Sequence, residues 1–262
     1  MVDGDPDYRA GTTRKAVMLL FAAYGRPRGT LALEQAMGVP VGCGFGASAA
    51  AAISAVYAAA SCMGVRAPKR ELAYFAHAAD ILERTGLGTV SVTYDATGAG
   101  AITKAGAPGV SRFRKVRCPA GTRLVTASLA AFRKSDVLSS PRAVEKVTRL
   151  GDRALRRFEA RPTLETLASE GEKFSEALGL MSEGAKELAA LAKERGADHA
   201  SQNMIGQAVH AITPASKADD VATALRESSW RPLVEVFEIG TRRAGLLGAA
   251  PATGTSKGSV SP

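Results

Sequence analysis

One stretch constrains this chain more than any other: Pro40-Val41-Gly42-Cys43-Gly44-Phe45-Gly46-Ala47-Ser48-Ala49-Ala50. Glycines at every second position permit positive φ, and without Cβ atoms their backbone N–H groups can close on a ligand. No charged residue occurs from Gln35 to Val65, and Ala47–Met63 is almost wholly small and apolar. Such a run predicts a helix that starts at the loop and aims its dipole and unsatisfied N–H groups where the glycines converge. Together they form an anion site suited to phosphate, with the Ser48 hydroxyl in the first turn within reach of an oxyanion or a metal. Taken by itself, the loop also admits a purely structural reading as a tight turn.

Known loop signatures narrow the choice. No G-x-x-x-x-G-K-[ST] is present, so a P-loop is excluded. Gly42-x-Gly44-x-x-Ala47 matches the dinucleotide pattern formally, but the acid expected about 20 residues on is replaced by Ala-Ser-Cys-Met-Gly. A nucleophile elbow needs G-x-S-x-G, and Gly46-Ala47-Ser48-Ala49-Ala50 lacks the final glycine.

Composition bounds the rest. The 262 residues, 46% hydrophobic and 23% charged, fit one large globular domain or two small ones. The uncharged run approaches a membrane span in length, yet Ala, Gly and Ser gain little from lipid, so a buried helix is expected and no membrane partner. The acidic start, Met-Val-Asp-Gly-Asp-Pro-Asp, is unlike a signal peptide. Cys43, Cys62 and Cys118 form no C-x-x-C pair, which argues against a disulfide scaffold or a cysteine-rich zinc site and for a reducing cytoplasm. The net charge of +9 is concentrated: residues 111–157 carry thirteen Lys/Arg against Asp136, Glu145 and Asp152, a local +10. That zone is either a solvated helix face beside a basic strand or a surface that draws phosphates, nucleic acid or an acidic substrate.

Periodicity predicts helices at Thr12–Tyr24, Ala47–Met63, Pro68–Glu83, Pro141–Phe158, Pro162–Leu178, Ser182–Lys193 and Ser216–Arg226. Strands are predicted at Thr30–Met37, Thr89–Tyr94, Ala99–Thr103, Phe113–Cys118, Arg123–Ala130, Gln207–Ile212 and Leu233–Ile239. The order gives an α+β chain whose two halves meet near residues 118–122, with a disordered Ala/Pro/Gly/Thr/Ser tail over 249–262.

The loop and its flanks resemble the GHMP kinases, whose second motif wraps the ATP phosphates. Details are similar to the archaeal pantoate kinases: Gly44-Phe45-Gly46-Ala47-Ser48, Ala76-His77-Ala78-Ala79-Asp80, Thr85-Gly86-Leu87-Gly88-Thr89-Val90, Gly106-Ala107-Pro108-Gly109, and a third motif at Ala200-Ser201-Gln202-Asn203-Met204-Ile205-Gly206. The series runs in order from about residue 12 to 247. It implies a two-lobed fold: residues 1–118 as a ribosomal protein S5 domain 2-like nucleotide-binding half lacking its first strands, and 119–248 as a ferredoxin-like half.

The resemblance further implies ATP held by Gly42, Gly44, Phe45, Gly46, Ala47 and Ser48, and Mg²⁺ held by Ser48 and Asp80. It implies a small hydroxy acid, pantoate, near His77, Lys104, Asn203 and Gly206. Nucleic acid is not implied as a partner, and a homodimer is compatible. Read without the family, His77 is equally a hydrogen-bonded structural group, Asp80 a solvent-facing helix residue, and Cys43 either an acidified thiol or a small filler. Two departures stand out. Thr89 occupies the position of the family's candidate base and cannot take a proton at neutral pH, and Lys104 replaces an Arg and lacks its planar fork. The implied activity is ATP-dependent phosphorylation of a small hydroxy acid. A homoserine- or mevalonate-type kinase and a non-catalytic nucleotide- or anion-binding relative are the alternatives.

Overall fold

The computed structural model describes residues 1–5, 8–86, 88–130, 140–204, 206–241 and 243–246. The predicted tail at 249–262 lies outside them. Small side chains set the packing of the first half. Helices α1 (Gly11–Tyr24), α2 (Ala47–Cys62) and α3 (Lys69–Leu82) lie against one another. Their contact surfaces are built from Ala16, Leu20, Ala49, Ala52, Ile53, Val56, Ala59, Ala73 and Ala76, all essentially solvent-free. Alanine lets helix axes approach closely, so the alanine-rich sequence of α2 suits a helix enclosed on several sides.

Two predicted strands are not strands. Thr89–Tyr94 belongs to a short helix, α4 (Thr89–Asp95), despite its β-branched residues. Gly88 precedes it, Val90 and Ser91 are buried, and Ser91 Oγ donates to Gly106 O at 2.8 Å, so packing against α2 and α3 overrides strand propensity. Residues 30–37 do alternate in burial, with Leu31 and Leu33 packed on the helical core. They are extended without forming a ladder: Gln35 makes one parallel bridge, to Val2. Alternation reported one covered face, while a strand also needs a neighbour to bond.

A small antiparallel ribbon follows, β1 (Gly100–Lys104) with β2 (Arg112–Lys115), the latter shorter than the predicted Phe113–Cys118. The second half holds β3 (Thr122–Ala130), α5 (Pro141–Ala160), α6 (Leu164–Leu178) and α7 (Glu183–Glu194), then β4 (His199–Gln202), β5 (Gln207–Pro214), α8 (Ala215–Glu227) and β6 (Leu233–Glu238). Its sheet is antiparallel in the order β4-β5-β3-β6. With α7 and α8 as crossovers this is the split β-α-β-β-α-β arrangement expected of a ferredoxin-like half. Val125, Ala127, Ala200, Val209, Ala211 and Val234 face α7 and α8 in a second core. The opposite sheet face is mixed: a polar row, Ser201, His210, Thr126 and Glu235, crosses the four strands beside a row of His199, Ile212, Leu124 and Phe237.

The basic zone is partly spent on the fold. Lys146 Nζ donates to Leu178 O at 2.9 Å at the end of α6, and Arg157 pairs with Glu170 at 3.2 Å. Arg112, Arg114, Arg142, Arg149, Arg153 and Arg156 remain exposed on β2 and α5. No helix among the described residues is long and apolar enough to cross a membrane.

Close helix packing makes a direct prediction. Ala52 is solvent-free whereas Ala58, on the same helix, is exposed. Ala52→Leu is expected to cost about 1–3 kcal/mol by overpacking and Ala58→Leu within about 0.5 kcal/mol, measured as the difference in urea midpoints.

Candidate functional site

The glycine loop adopts the backbone its sequence requires. Gly42, Gly44 and Gly46 have φ of 84°, 91° and 77°, and Gly46 is the left-handed N-cap of α2. Ala49 and Ala50 N–H groups bond back to Gly46 O at 3.0 and 3.1 Å. Those of Ala47 and Ser48 have no preceding turn to donate to, as at any helix start, so they are the donors available to an anion.

A turn from the other half closes on this loop. Asn203 O abuts Gly44, where a Cβ would also stand 2.9 Å from the Asn203 carbonyl carbon. A Cβ on Gly206 would overlap the Cys43 carbonyl and Gly44 N. The turn is braced internally: Gly206 N donates to Asn203 O at 2.8 Å, Asn203 N to Ala208 O at 2.8 Å, and Gln202 Nε2 to Gly206 O at 2.9 Å. Thr89 closes from a third side, its Cγ2 2.6 Å from where a Gly46 Cβ would be. Residues far apart in the chain thus meet at one loop: Gly42–Ser48, Thr89, Asn203 and Gly206.

On the α2 side a cleft of about 170 Å³ is lined by Ser48, Ala47, Thr12, Thr13, Gln35 and Thr85, among others. Behind it Asp80 is 1% exposed. Thr85 Oγ1 donates to Asp80 Oδ1 at 2.6 Å and so must accept from Thr12 Oγ1, 2.9 Å away. Gly86 leaves room for the carboxylate, since a Cβ there would stand 2.6 Å from Asp80 Oδ2. Asp80 is therefore a buried, held carboxylate and not the solvent-facing helix residue of the alternative reading. Ser48 and Asp80 offer the hard oxygen donors that Mg²⁺ prefers, with the Thr12–Thr85 hydroxyls standing between Asp80 and the cleft.

The other predicted residues, His77, Lys104 and Cys43, have surroundings of their own. His77, one turn before Asp80 on α3, is half-buried, and its Nδ1 has no hydrogen-bond partner. Burial lowers its pKa against the opposing pull of Asp80, so the ring is neutral near pH 7. Lys104 ends β1, exposed, across the ribbon from Arg112. Cys43 is buried, and burial raises its thiol pKa against a smaller opposing contribution from Ser128, which disfavours the acidified-thiol reading.

Three contributors escaped the sequence reading. Thr12 and Thr13 stand at the start of the predicted helix, but α1 starts from a left-handed Ala10 with no side-chain cap, and both threonines turn inward. Thr12 meets Thr85, while Thr13 Oγ1 donates to Gln35 Oε1 at 3.3 Å, and Gln35 Nε2 in turn donates to Ala51 O at 2.8 Å. The third is His210, whose Nδ1 lies 2.8 Å from Asn203 Oδ1. Only register, which no local pattern supplies, puts it there.

Residues 12–94 match the family described as "GHMP kinases N terminal domain". Over most of its length the chain shares the fold of solved phosphotransferases and kinases. It superposes on a structure described as "Phosphotransferase related to CoA biosynthesis pathway" with a TM-score of 0.77 and 23% identity, covering 93% of this chain and 78% of that one. A homoserine kinase from Cytophaga hutchinsonii follows at TM-score 0.63 and 16% identity, covering 90% and 78%. An L. major mevalonate kinase in complex with R-mevalonate gives 0.61 and 14%, covering 93% and 82%. No curated protein matches the chain by sequence.

Burial pushes the His210 pKa down to about 4, against an opposing contribution from Glu172. The unfolded chain therefore binds the proton first as pH falls. This contribution to stability is complete above about pH 6.5 and is lost progressively toward pH 4. Between pH 7 and pH 5 the wild type should lose about 2 kcal/mol more than His210→Asn, read from denaturant unfolding of both proteins.

Proposed function

We propose that this protein is an ATP-dependent small-molecule kinase that phosphorylates the primary hydroxyl of (R)-pantoate, giving 4-phosphopantoate for coenzyme A synthesis. One observation carries the kinase reading: a three-glycine loop at the N-terminus of an uncharged helix, closed by a backbone turn from the other half. Phosphoryl transfer asks mainly for positioning and for dipoles or cations on the transferred group. The Ala47 and Ser48 N–H groups supply such dipoles. Mg²⁺ would be held by Ser48 and Asp80 and would neutralise charge on the phosphates. Support for the acceptor comes from the ordered motif series and from the structural neighbour described as related to CoA biosynthesis.

Thr89 bears on the mechanism. The resemblance gives its position to a base, it meets the loop through its Cγ2, and its hydroxyl is neutral at physiological pH. In a loose, metaphosphate-like transition state the acceptor proton departs late, so transfer relies on alignment more than on proton abstraction. His77, held neutral by burial, and Lys104 are proposed to meet the acceptor, the lysine as a point charge for its carboxylate. Three cysteines with no C-x-x-C pair support a cytoplasmic location for this activity.

The test incubates the protein with ATP and Mg²⁺ and, separately, pantoate, homoserine and mevalonate, following ADP release and the ³¹P signal of the phosphomonoester. Pantoate-dependent release is expected, and Ser48→Ala should lower kcat about 100-fold. Release indifferent to pantoate overturns the acceptor. Thr89 and the exposed arginines of β2 and α5 favour one second reading, a non-catalytic anion binder, which salt-dependent nucleic-acid retention without turnover would establish.

A further inference from the structure

We infer that His210 is a positioning residue: through the Asn203 side chain it seats the turn that closes the glycine loop. The inference rests on the kinase reading for its consequence and on the geometry for its cause.

His210 lies on β5 in the polar row of the sheet, between Ser201 of β4 and Thr126 of β3, with Glu235 of β6 beyond. Its Nδ1 is 2.8 Å from Asn203 Oδ1. A carboxamide oxygen only accepts, so Nδ1 carries the hydrogen and the neutral ring is fixed in one tautomer. Glu172 of α6 is the charged group that acts on the ring, and Ser201 and Thr126 beside it are uncharged. Asn203 is itself buried, with its N–H committed to Ala208 O and its carbonyl to Gly206 N while abutting Gly44. The side-chain bond to His210 is the remaining handle by which the sheet sets this residue's rotation. It also directs the NH₂ end, the only donor of that side chain, to the opposite side of the amide.

Rotation of Asn203 would therefore be felt at Gly44 and Gly206, where backbone meets backbone without slack. Leucine at position 210 fills the space but orphans a buried acceptor, the costlier way to break a hydrogen bond. Asparagine places its amide nitrogen where His Nδ1 stands. Glutamine keeps polarity and size but carries its nitrogen one carbon further.

The experiment compares wild type, His210→Leu, His210→Gln and His210→Asn, each checked for cooperative unfolding. Two readouts are taken: the KM for ATP against the KM for the acceptor, and the ¹H–¹⁵N resonances of Gly44 and Gly206 without ligand. In H210L and H210Q the KM for ATP should rise about ten-fold with the acceptor KM unchanged, and both glycine resonances should shift. H210N should restore both to near wild type. Equal behaviour of H210N and H210L, or wild-type values in all variants, overturns the inference. If the wild type shows no turnover the kinase reading falls, and the glycine resonances alone decide the positioning role. H210Q keeps the test open if H210L does not fold.

Discussion

Backbone meeting backbone, between the glycine loop and the turn at Asn203–Gly206, is the contact on which the rest of this structure depends. Neither Gly44 nor Gly206 has room for a Cβ, because the other segment's carbonyl carbon or nitrogen already stands there. Such contacts have no side chains to relax, so small displacements are resisted and the loop keeps one shape. A loop of three positive-φ glycines would otherwise be the floppiest part of the chain. Held this way, it presents the α2 N–H groups in a fixed direction, and preorganised dipoles are what stabilise a phosphate during transfer.

Both halves of the fold serve that contact. The alanine-rich helical core fixes the start of α2, while the four-stranded sheet delivers the turn between β4 and β5. Its inner face follows the usual division, apolar toward α7 and α8. The other face carries a polar row across its four strands, and His210 in that row bonds Asn203. Burial keeps His77 and His210 neutral near pH 7.

What the sequence disclosed follows the range of the interaction concerned. Alternating glycines before an uncharged run specify a loop and a helix within eleven residues, and Gly42, Gly44 and Gly46 have the positive φ that spacing foretells. The helices from Pro141 to Glu194 were legible because their apolar stripes, and the caps at Thr163 and Ser182, are local. Residues 30–37 and 89–94 were misread for opposite reasons. The first has strand alternation but no ladder, and the second has strand-favouring residues captured by helix packing. Site partners joined across the chain, such as Thr12 with Thr85 or His210 with Asn203, carry no signal in spacing because tertiary register creates them.

The central claim is that the Gly42–Ser48 backbone receives the nucleotide phosphates. Titrating the ¹⁵N-labelled protein with ADP and Mg²⁺, then with ATP and Mg²⁺, tests it directly. The largest saturable amide shifts should fall on Gly42, Gly44, Gly46, Ala47 and Ser48, with Gly206 following. Shifts confined to the arginines of β2 and α5, with the loop amides unmoved at saturation, would contradict the account.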